Sequence, residues 1–345
     1  MSCCRSILPP PPSLFALLPS LIFGLLAATA ARSEPKALDA KEWVVRRERI
    51  LANVQLVMGP LPDERDKVPL DVKVSEVVEL PHYIRKKLTF AVEKDDRVPA
   101  YLLIPKRREG KLPGVLVLHQ TIAIGKGEPA GLGTQENKRI GVHLVERGFV
   151  CLCPDYPSFG EYRYDFAKSK YKSGSMKAIW NNRRALDLLA SLPEVDAERL
   201  GCIGHSLGGH NTMFTALFDS RIKACVSNCG FTSFSKYYGG KLKGWTSARY
   251  MPLIASKYGM KPDKMPFDFP ELVSALAPRA FLAVAPLHDD NFEVSGVRDC
   301  IAAARPVYDL LHAKEKLKAH YPDCKHDFPA ESRKIAYEWL DRWLK

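Results

Sequence analysis

Six short apolar runs, at 113–119, 149–154, 199–204, 222–229, 280–286 and 317–321, alternate with segments of helical periodicity near 136–147, 176–192, 207–218, 295–312 and 331–344. The runs are apolar on successive residues rather than on alternate ones, so they read as strands buried on both faces. Burial on both faces requires helices on both sides of a sheet, and the strand–helix–strand rhythm makes that sheet mostly parallel. The expected fold class is therefore α/β. Residues 231–278 break the rhythm, are too long for a plain connection, and read as a cap inserted over one end of the sheet. At 345 residues, 46% of them hydrophobic, the chain can bury a sizeable core and is neither a disulfide mini-protein nor a disordered chain.

Upstream of the alternation, extended stretches around 74–80, 84–92 and 98–105 read as antiparallel strands joined by polar turns. Before them, Trp43, Ile50, Val54 and Val57 share one helical face, with Asp39 and Glu42 placed for a capping box and Gly59-Pro60 as the stop. Residues 1–30 contain no acid and one base, Arg5; the apolar run Leu14–Leu26 leads into Ala28-Thr29-Ala30. That pattern describes a secretory signal peptide cleaved after Ala30, hence a secreted or periplasmic protein. Pro19 and the shortness of the run argue against a ~20-residue spanning helix, an uncleaved anchor being the alternative. The expected organisation is a signal peptide over 1–30, an N-terminal helix and antiparallel extension over 31–97, and a catalytic domain over 98–345 carrying the cap.

Seven of the nine cysteines lie beyond the signal. Cys151, Cys153, Cys202, Cys225 and Cys229 fall in the apolar runs, where a cysteine behaves as a small buried hydrophobe. Their odd number and irregular spacing do not describe a disulfide framework. No nearby His or Cys completes a metal set around Cys151 and Cys153, and no nucleotide or zinc-protease motif occurs, so neither metal nor cofactor is expected.

The chemistry is carried by Gly204-His205-Ser206-Leu207-Gly208, between the run at 199–203 and the helical pattern at 207–218. A strand–turn–helix with this pentapeptide is a nucleophile elbow. Its strained turn presents a serine hydroxyl at a helix N-terminus and tolerates only small neighbours, here Gly204 and Gly208. A serine hydroxyl is a weak nucleophile and needs a base and an orienting acid. The run at 280–286 is followed by Asp289 and Asp290, and the run at 317–321 by His326, all at the same sheet edge as Ser206. An oxyanion hole would take the backbone N–H of Leu207 and one from the loop after 113–119, with Gln120 put forward and Thr121 the alternative. His205 and His210 flank the elbow and read as packing and surface residues; Trp180, Trp339 and Trp343 read as core or interface.

Residues 98–345 resemble the α/β-hydrolase superfamily, most closely its dienelactone hydrolase-like, acetyl xylan esterase-like and prolyl oligopeptidase-like branch. The resemblance is carried in order by VLVLHQT (115–121), PDYPSFGE (154–161), GHSLG (204–208), PLHDDNF (286–292) and KHDFP (325–329). It implies an α/β-hydrolase fold with the Ser206, Asp289, His326 triad: in these families an apolar residue follows the acid by three positions, and counting back from Phe292 selects Asp289. Two features depart from the pattern. The usual His-Gly oxyanion motif reads His119-Gln120, and the nucleophile is Ser206 where dienelactone hydrolases proper tend to carry Cys. The implied function is a secreted serine esterase acting through an acyl-enzyme, on a small-molecule or polysaccharide ester, with acetyl or methyl esters of polysaccharides as the substrate idea. A prolyl oligopeptidase-like peptidase and a non-catalytic binding protein are the alternatives; too few residues precede the core for a propeller.

The net charge of +12 concentrates in the cap. Residues 231–265 hold Lys236, Lys241, Lys243, Arg249, Lys257, Lys261 and Lys264 against one acid, Asp263. A solvated basic loop is the plain reading. The sharper one, from its place beside the proposed catalytic edge, is that the cap draws anionic substrates such as uronate-bearing polymers towards Ser206, and neither points to nucleic acid. Trp245 and Tyr250 in the cap are the candidate substrate-binding aromatics.

Overall fold

The computed structural model describes residues 39–107 and 109–345; the signal peptide expected over 1–30 lies outside them. Nine strands make one sheet: β1 (Lys73–Glu79), β2 (Tyr83–Glu93), β3 (Asp96–Pro105), β4 (Leu112–Leu118), β5 (Val150–Pro154), β6 (Val195–His205), β7 (Ile222–Asn228), β8 (Ala280–Val284) and β9 (Leu317–His320). Their order is β1-β2-β3-β5-β4-β6-β7-β8-β9. The first three pair antiparallel, β3 runs antiparallel to β5, and every pairing from β5 to β9 is parallel. Position 97–98 falls inside β3, so the antiparallel extension continues the sheet without a break.

Alternate side chains of the central strands enter two cores. Leu116, Leu152, Cys202, Cys225 and Phe281 face one side, covered by α1 (Ala40–Met58), α3 (Gly174–Ser191), α4 (Leu207–Phe218), α6 (Phe269–Ala275) and α7 (Val294–Leu310). Val115, Cys151, Ile203, Val226 and Leu282 face the other, covered by α2 (Ile140–Glu146) and α8 (Ala330–Leu344). The apolar runs were continuous because both faces of each strand are dry. Asp39 caps α1 by accepting the N–H groups of Lys41 and Glu42, and buried Trp180 on α3 donates its indole N–H to the Val92 carbonyl of β2 at 3.0 Å. Trp339 lies in the second core and Trp343 packs against it.

The helix expected over 136–147 is broken. A single 3-10 turn, Glu136–Lys138, precedes α2, and Arg139 between them has ψ 46°, off the helical path. The break turns buried Lys138 inward, where its ammonium meets Asp327 at 2.5 Å. Between β7 and β8 the chain forms 3-10 turns at Tyr237–Gly239, Leu242–Trp245 and Pro262–Lys264, a single helical turn α5 (Leu253–Ser256), and then α6. The last part of this segment is thus the crossover helix that returns the chain to the parallel strand β8. Among the described residues, no helix is long and apolar enough to cross a membrane. Cys151, Cys153, Cys202, Cys225, Cys229 and Cys300 are free and buried, and Cys324 is free and half-buried. Burial pushes the thiols of the strand cysteines up, that of Cys225 to about 12, which leaves them protonated and inert.

Candidate active site

β6 ends at His205, Ser206 turns the chain, and α4 begins at Leu207. Ser206 has φ 55° and ψ −115°, a conformation that costs on the order of 1–3 kcal/mol for a residue with a Cβ and persists only where its surroundings enforce it. They do: the Ser206 N–H donates to the Asn228 carbonyl of β7 at 2.9 Å, and its carbonyl accepts from the N–H groups of Gly209 (2.8 Å) and His210 (3.2 Å). The two flanking glycines touch. A Cβ on Gly204 would overlap the Gly208 backbone, and one on Gly208 would overlap the Leu118 carbonyl at the end of β4. This is the steric reason for glycine at both positions, and it presses the elbow against the loop that follows β4.

His326, on the loop between β9 and α8, is held by Asp289 and not by Asp290. Its Nδ1 lies 3.0 and 2.9 Å from the two Asp289 oxygens. Asp289 is buried and also accepts the N–H groups of Asn291 (2.8 Å) and Phe292 (3.0 Å), whereas Asp290 is exposed. The Phe292 bond gives the three-residue spacing its physical meaning: the turn that buries the carboxylate brings the apolar side chain back toward the site. The His326 ring then sits between the rings of His205 (centroids 4.9 Å) and Phe292 (6.0 Å). With its Nδ1 proton on the carboxylate, Nε2 is left as the basic nitrogen.

His205 and His210 are both buried, correcting the surface reading for His210. Asn228 Nδ2 donates to His205 Nδ1 at 2.6 Å and to the Asp327 carbonyl at 3.3 Å, so Asn228 ties the residue before the elbow to the residue after His326. Burial, with Lys138 and His326 nearby, holds His205 well below the usual imidazole range, and burial holds His210 at about 3. Both rings are neutral at physiological pH and add no charge against a transient imidazolium on His326. Cys229, Asp289 and His326 have ligand atoms within 4.8 Å of one another, the one trio of metal-ligating geometry among the described residues. Its His and Asp atoms are already bonded to each other.

The loop after β4 is set by His119. Its Nε2 accepts the Tyr156 N–H at 2.9 Å, which puts the ring proton on Nδ1, 2.6 Å from the Gln120 carbonyl. Burial lowers the His119 pKa, keeping the ring neutral for this double duty. Gln120 is buried beneath the site, while Thr121 is exposed and its hydroxyl lies 3.3 Å from that of Tyr250. A cavity of about 60 Å³ beside the elbow is lined by Ser206, Leu207 and Thr121, on the cap side by Trp245 and Tyr250, and by Phe292 from the loop after β8. The structure thus brings Ser206, Leu207, Trp245 and Tyr250 to one pocket, with Thr121 rather than Gln120 on its wall. Asn228 is a positioning residue that had no local signal in the chain; His119, Tyr156 and Phe292 lay within the motifs at 115–121, 154–161 and 286–292, which did not show what each of them holds.

Behind this loop, Asp155 accepts the Lys126 ammonium at 2.8 Å, the Lys126 N–H at 2.7 Å and the Glu161 N–H at 2.9 Å, with both members of the pair buried. Lys126→Met strands the Asp155 charge and is expected to cost about 3–5 kcal/mol, read as a fall in the denaturant midpoint. Lys87→Met, which removes the partly exposed 2.6 Å pair with Glu161, is expected to cost less than about 1 kcal/mol by the same measurement.

A family model described as glucuronyl esterase, fungi, matches residues 158–312. The Bacillus subtilis protein named "Putative hydrolase YtaP" is 27% identical over 300 residues, covering 84% of this chain and 96% of that protein. Among solved structures, a glucuronoyl esterase from Solibacter usitatus superposes with TM-score 0.72 at 19% identity, covering 90% of this chain and 95% of the other. Acetyl xylan esterase 1 from Thermoanaerobacterium superposes with TM-score 0.57 at 17% identity, covering 90% and 96%. The fold is the α/β-hydrolase fold: a mostly parallel sheet between two helical layers, with the elbow serine at its centre.

Proposed function

We propose that the protein is a serine esterase that cleaves carboxylic esters borne by polysaccharides, with Ser206 as nucleophile, His326 as base and Asp289 as the orienting acid. The observation that carries the reading is the His326–Asp289 pair, buried at the carboxylate, beside a serine in strained elbow geometry. Ser206 Oγ attacks the ester carbonyl as His326 Nε2 takes its proton. The tetrahedral oxyanion is met by the Leu207 N–H and an N–H of the 120–121 loop. The C–O bond to the alcohol then breaks, and the alcohol leaves with the proton held on His326. Water, deprotonated by the same nitrogen, cleaves the acyl-enzyme and restores Ser206.

Similarity to glucuronoyl and acetyl xylan esterases supports a saccharide-borne ester, and Trp245 and Tyr250 are proposed to line its subsite. The sequence pattern of residues 1–30 supports export from the cytoplasm, where such polymers are met. The test is a fluorophosphonate probe with mapping of the adduct, followed by turnover of acetylated xylan, methyl glucuronoyl esters, short-chain aryl esters and peptidyl amides. Labelling of Ser206 with turnover of esters but not amides is expected. No adduct on Ser206, or turnover of amides alone, overturns the reading.

A further inference from the structure

Arg249 lies in the cap one residue before Tyr250, and the chain there is pinned by three successive carbonyls, two to the start of α3 and one to Tyr156 after β5. Ala248 O accepts the Gly174 N–H at 2.9 Å, Arg249 O accepts the Tyr156 hydroxyl, and Tyr250 O accepts the Ser175 N–H at 3.2 Å. Gly174 is required for this approach, since a Cβ there would overlap the Arg249 carbonyl. The side chain is equally fixed. Its Nε donates to Ser158 Oγ at 2.8 Å, and its guanidinium lies over the Phe159 ring, 4.4 Å from the centroid. Phe159 packs in turn on His119 (5.6 Å), which sets the oxyanion loop. Ser158 itself adopts φ 71°, a left-handed conformation for a residue with a Cβ, held by its N–H bond to the Tyr162 carbonyl at 3.0 Å. A strained residue thus orients a half-buried cation beside the reacting centre.

That cation has no carboxylate partner among the described residues, and its two terminal nitrogens make no hydrogen bond there. The same holds for ion pairing by Lys236, Lys241, Lys243, Lys257, Lys261 and Lys264. On one side Arg249 is next in the chain to Tyr250, a wall of the pocket of Ser206 and Trp245, and its ring partner Phe159 packs in one cluster with Leu207 and Tyr250. On the other, through Ser158, it adjoins an open groove of about 550 Å³ lined by Gly160, Tyr162, Arg163, Tyr164 and Asp165. Of the neighbouring acids, the Asp165 carboxylate caps its own turn by accepting the Ala167 N–H, and Asp290 and Glu293, either side of Asn291 and Phe292 in the chain, are exposed and line neither cavity. A planar fork with Nε occupied and both terminal nitrogens free, stacked on an aromatic ring, matches a carboxylate.

We propose that Arg249 binds a carboxylate on the saccharide next to the scissile ester, so that the substrates are esters of acidic, uronate-bearing glycans. The proposal rests on the esterase reading and names its substrate class. The test compares O-acetylated oligogalacturonate with O-acetylated xylooligosaccharide. The wild-type ratio of kcat/KM, acidic over neutral, is expected to exceed about ten and to shrink as salt rises past a few tenths molar. Arg249→Met lowers that ratio about tenfold or more, mainly through KM, and Arg249→Lys restores part of it by keeping the charge without the fork. In parallel, trigalacturonate is titrated calorimetrically into the Ser206→Ala protein, and adding Arg249→Met weakens its binding about tenfold. A ratio unmoved by Arg249→Met in a protein with the wild-type melting curve, or no binding of trigalacturonate, overturns the assignment. If trigalacturonate binds through Arg249 while the wild type turns over no ester, the esterase reading fails and the carboxylate site stands.

Discussion

Replacing Ser206 with alanine is expected to lower kcat for ester hydrolysis roughly 10⁴- to 10⁶-fold and to abolish labelling by a fluorophosphonate. The loss is that large because the acyl-enzyme route disappears altogether, leaving only the amides of Leu207 and the 120–121 loop to assist attack by water. The fold should not suffer. Ser206 Oγ makes no hydrogen bond among the described residues, and the elbow is held by main-chain bonds to Asn228, Gly209 and His210 that alanine preserves. An unchanged melting temperature beside the lost activity therefore separates catalysis from stability. Retention of more than about one per cent of kcat with correct folding would mean that Ser206 is not the nucleophile.

Asp289→Asn should cost about 10⁴ in kcat, and Asp290→Asn less than about twofold. The difference follows from the carboxylate's partners. An asparagine oxygen at 289 can still accept the N–H groups of Asn291 and Phe292, so the turn survives. Its amide then presents N–H to His326 Nδ1, which forces the ring proton onto Nε2 and leaves no lone pair for the Ser206 hydroxyl. The test is kcat for a short-chain aryl ester in both variants, with the melting temperature as control. Equal losses in the two variants, or a larger one at Asp290, would displace Asp289 from the role.

Much of this architecture is legible in the chain because its determinants are local. The continuous apolar runs report strands dry on both faces, and Gly204 with Gly208 reports a turn that admits no side chain. Phe292 three residues after Asp289 reports the turn that buries the acid. What was not legible depends on contacts remote in sequence. His119 meets Tyr156 across 37 positions, and Tyr156 meets Arg249 across 93; neither leaves a periodic trace. The break at Arg139 accompanies another such contact, that of buried Lys138 with Asp327, 189 positions on. At the oxyanion loop the chain order put the Gln120 N–H forward with Thr121 as the alternative; the structure puts Thr121 on the pocket wall, a placement that depends on contacts with the cap remote in sequence.

The contact between Gly208 and the end of β4 separates two kinds of heredity in this molecule. The amides that would cradle the oxyanion sit on segments whose spacing follows from strand register, Leu118 opposite Gly204, and from main-chain atoms in van der Waals contact. No single substitution can retune them by degrees; it either leaves them alone or destroys them. The walls proposed to meet the substrate, from Trp245 and Arg249 to Tyr250, are side chains, which a substitution can change while the main-chain bonds that hold their segment stay. Descendants of such a protein should therefore drift readily in what they bind while keeping the pace of the bond-breaking step.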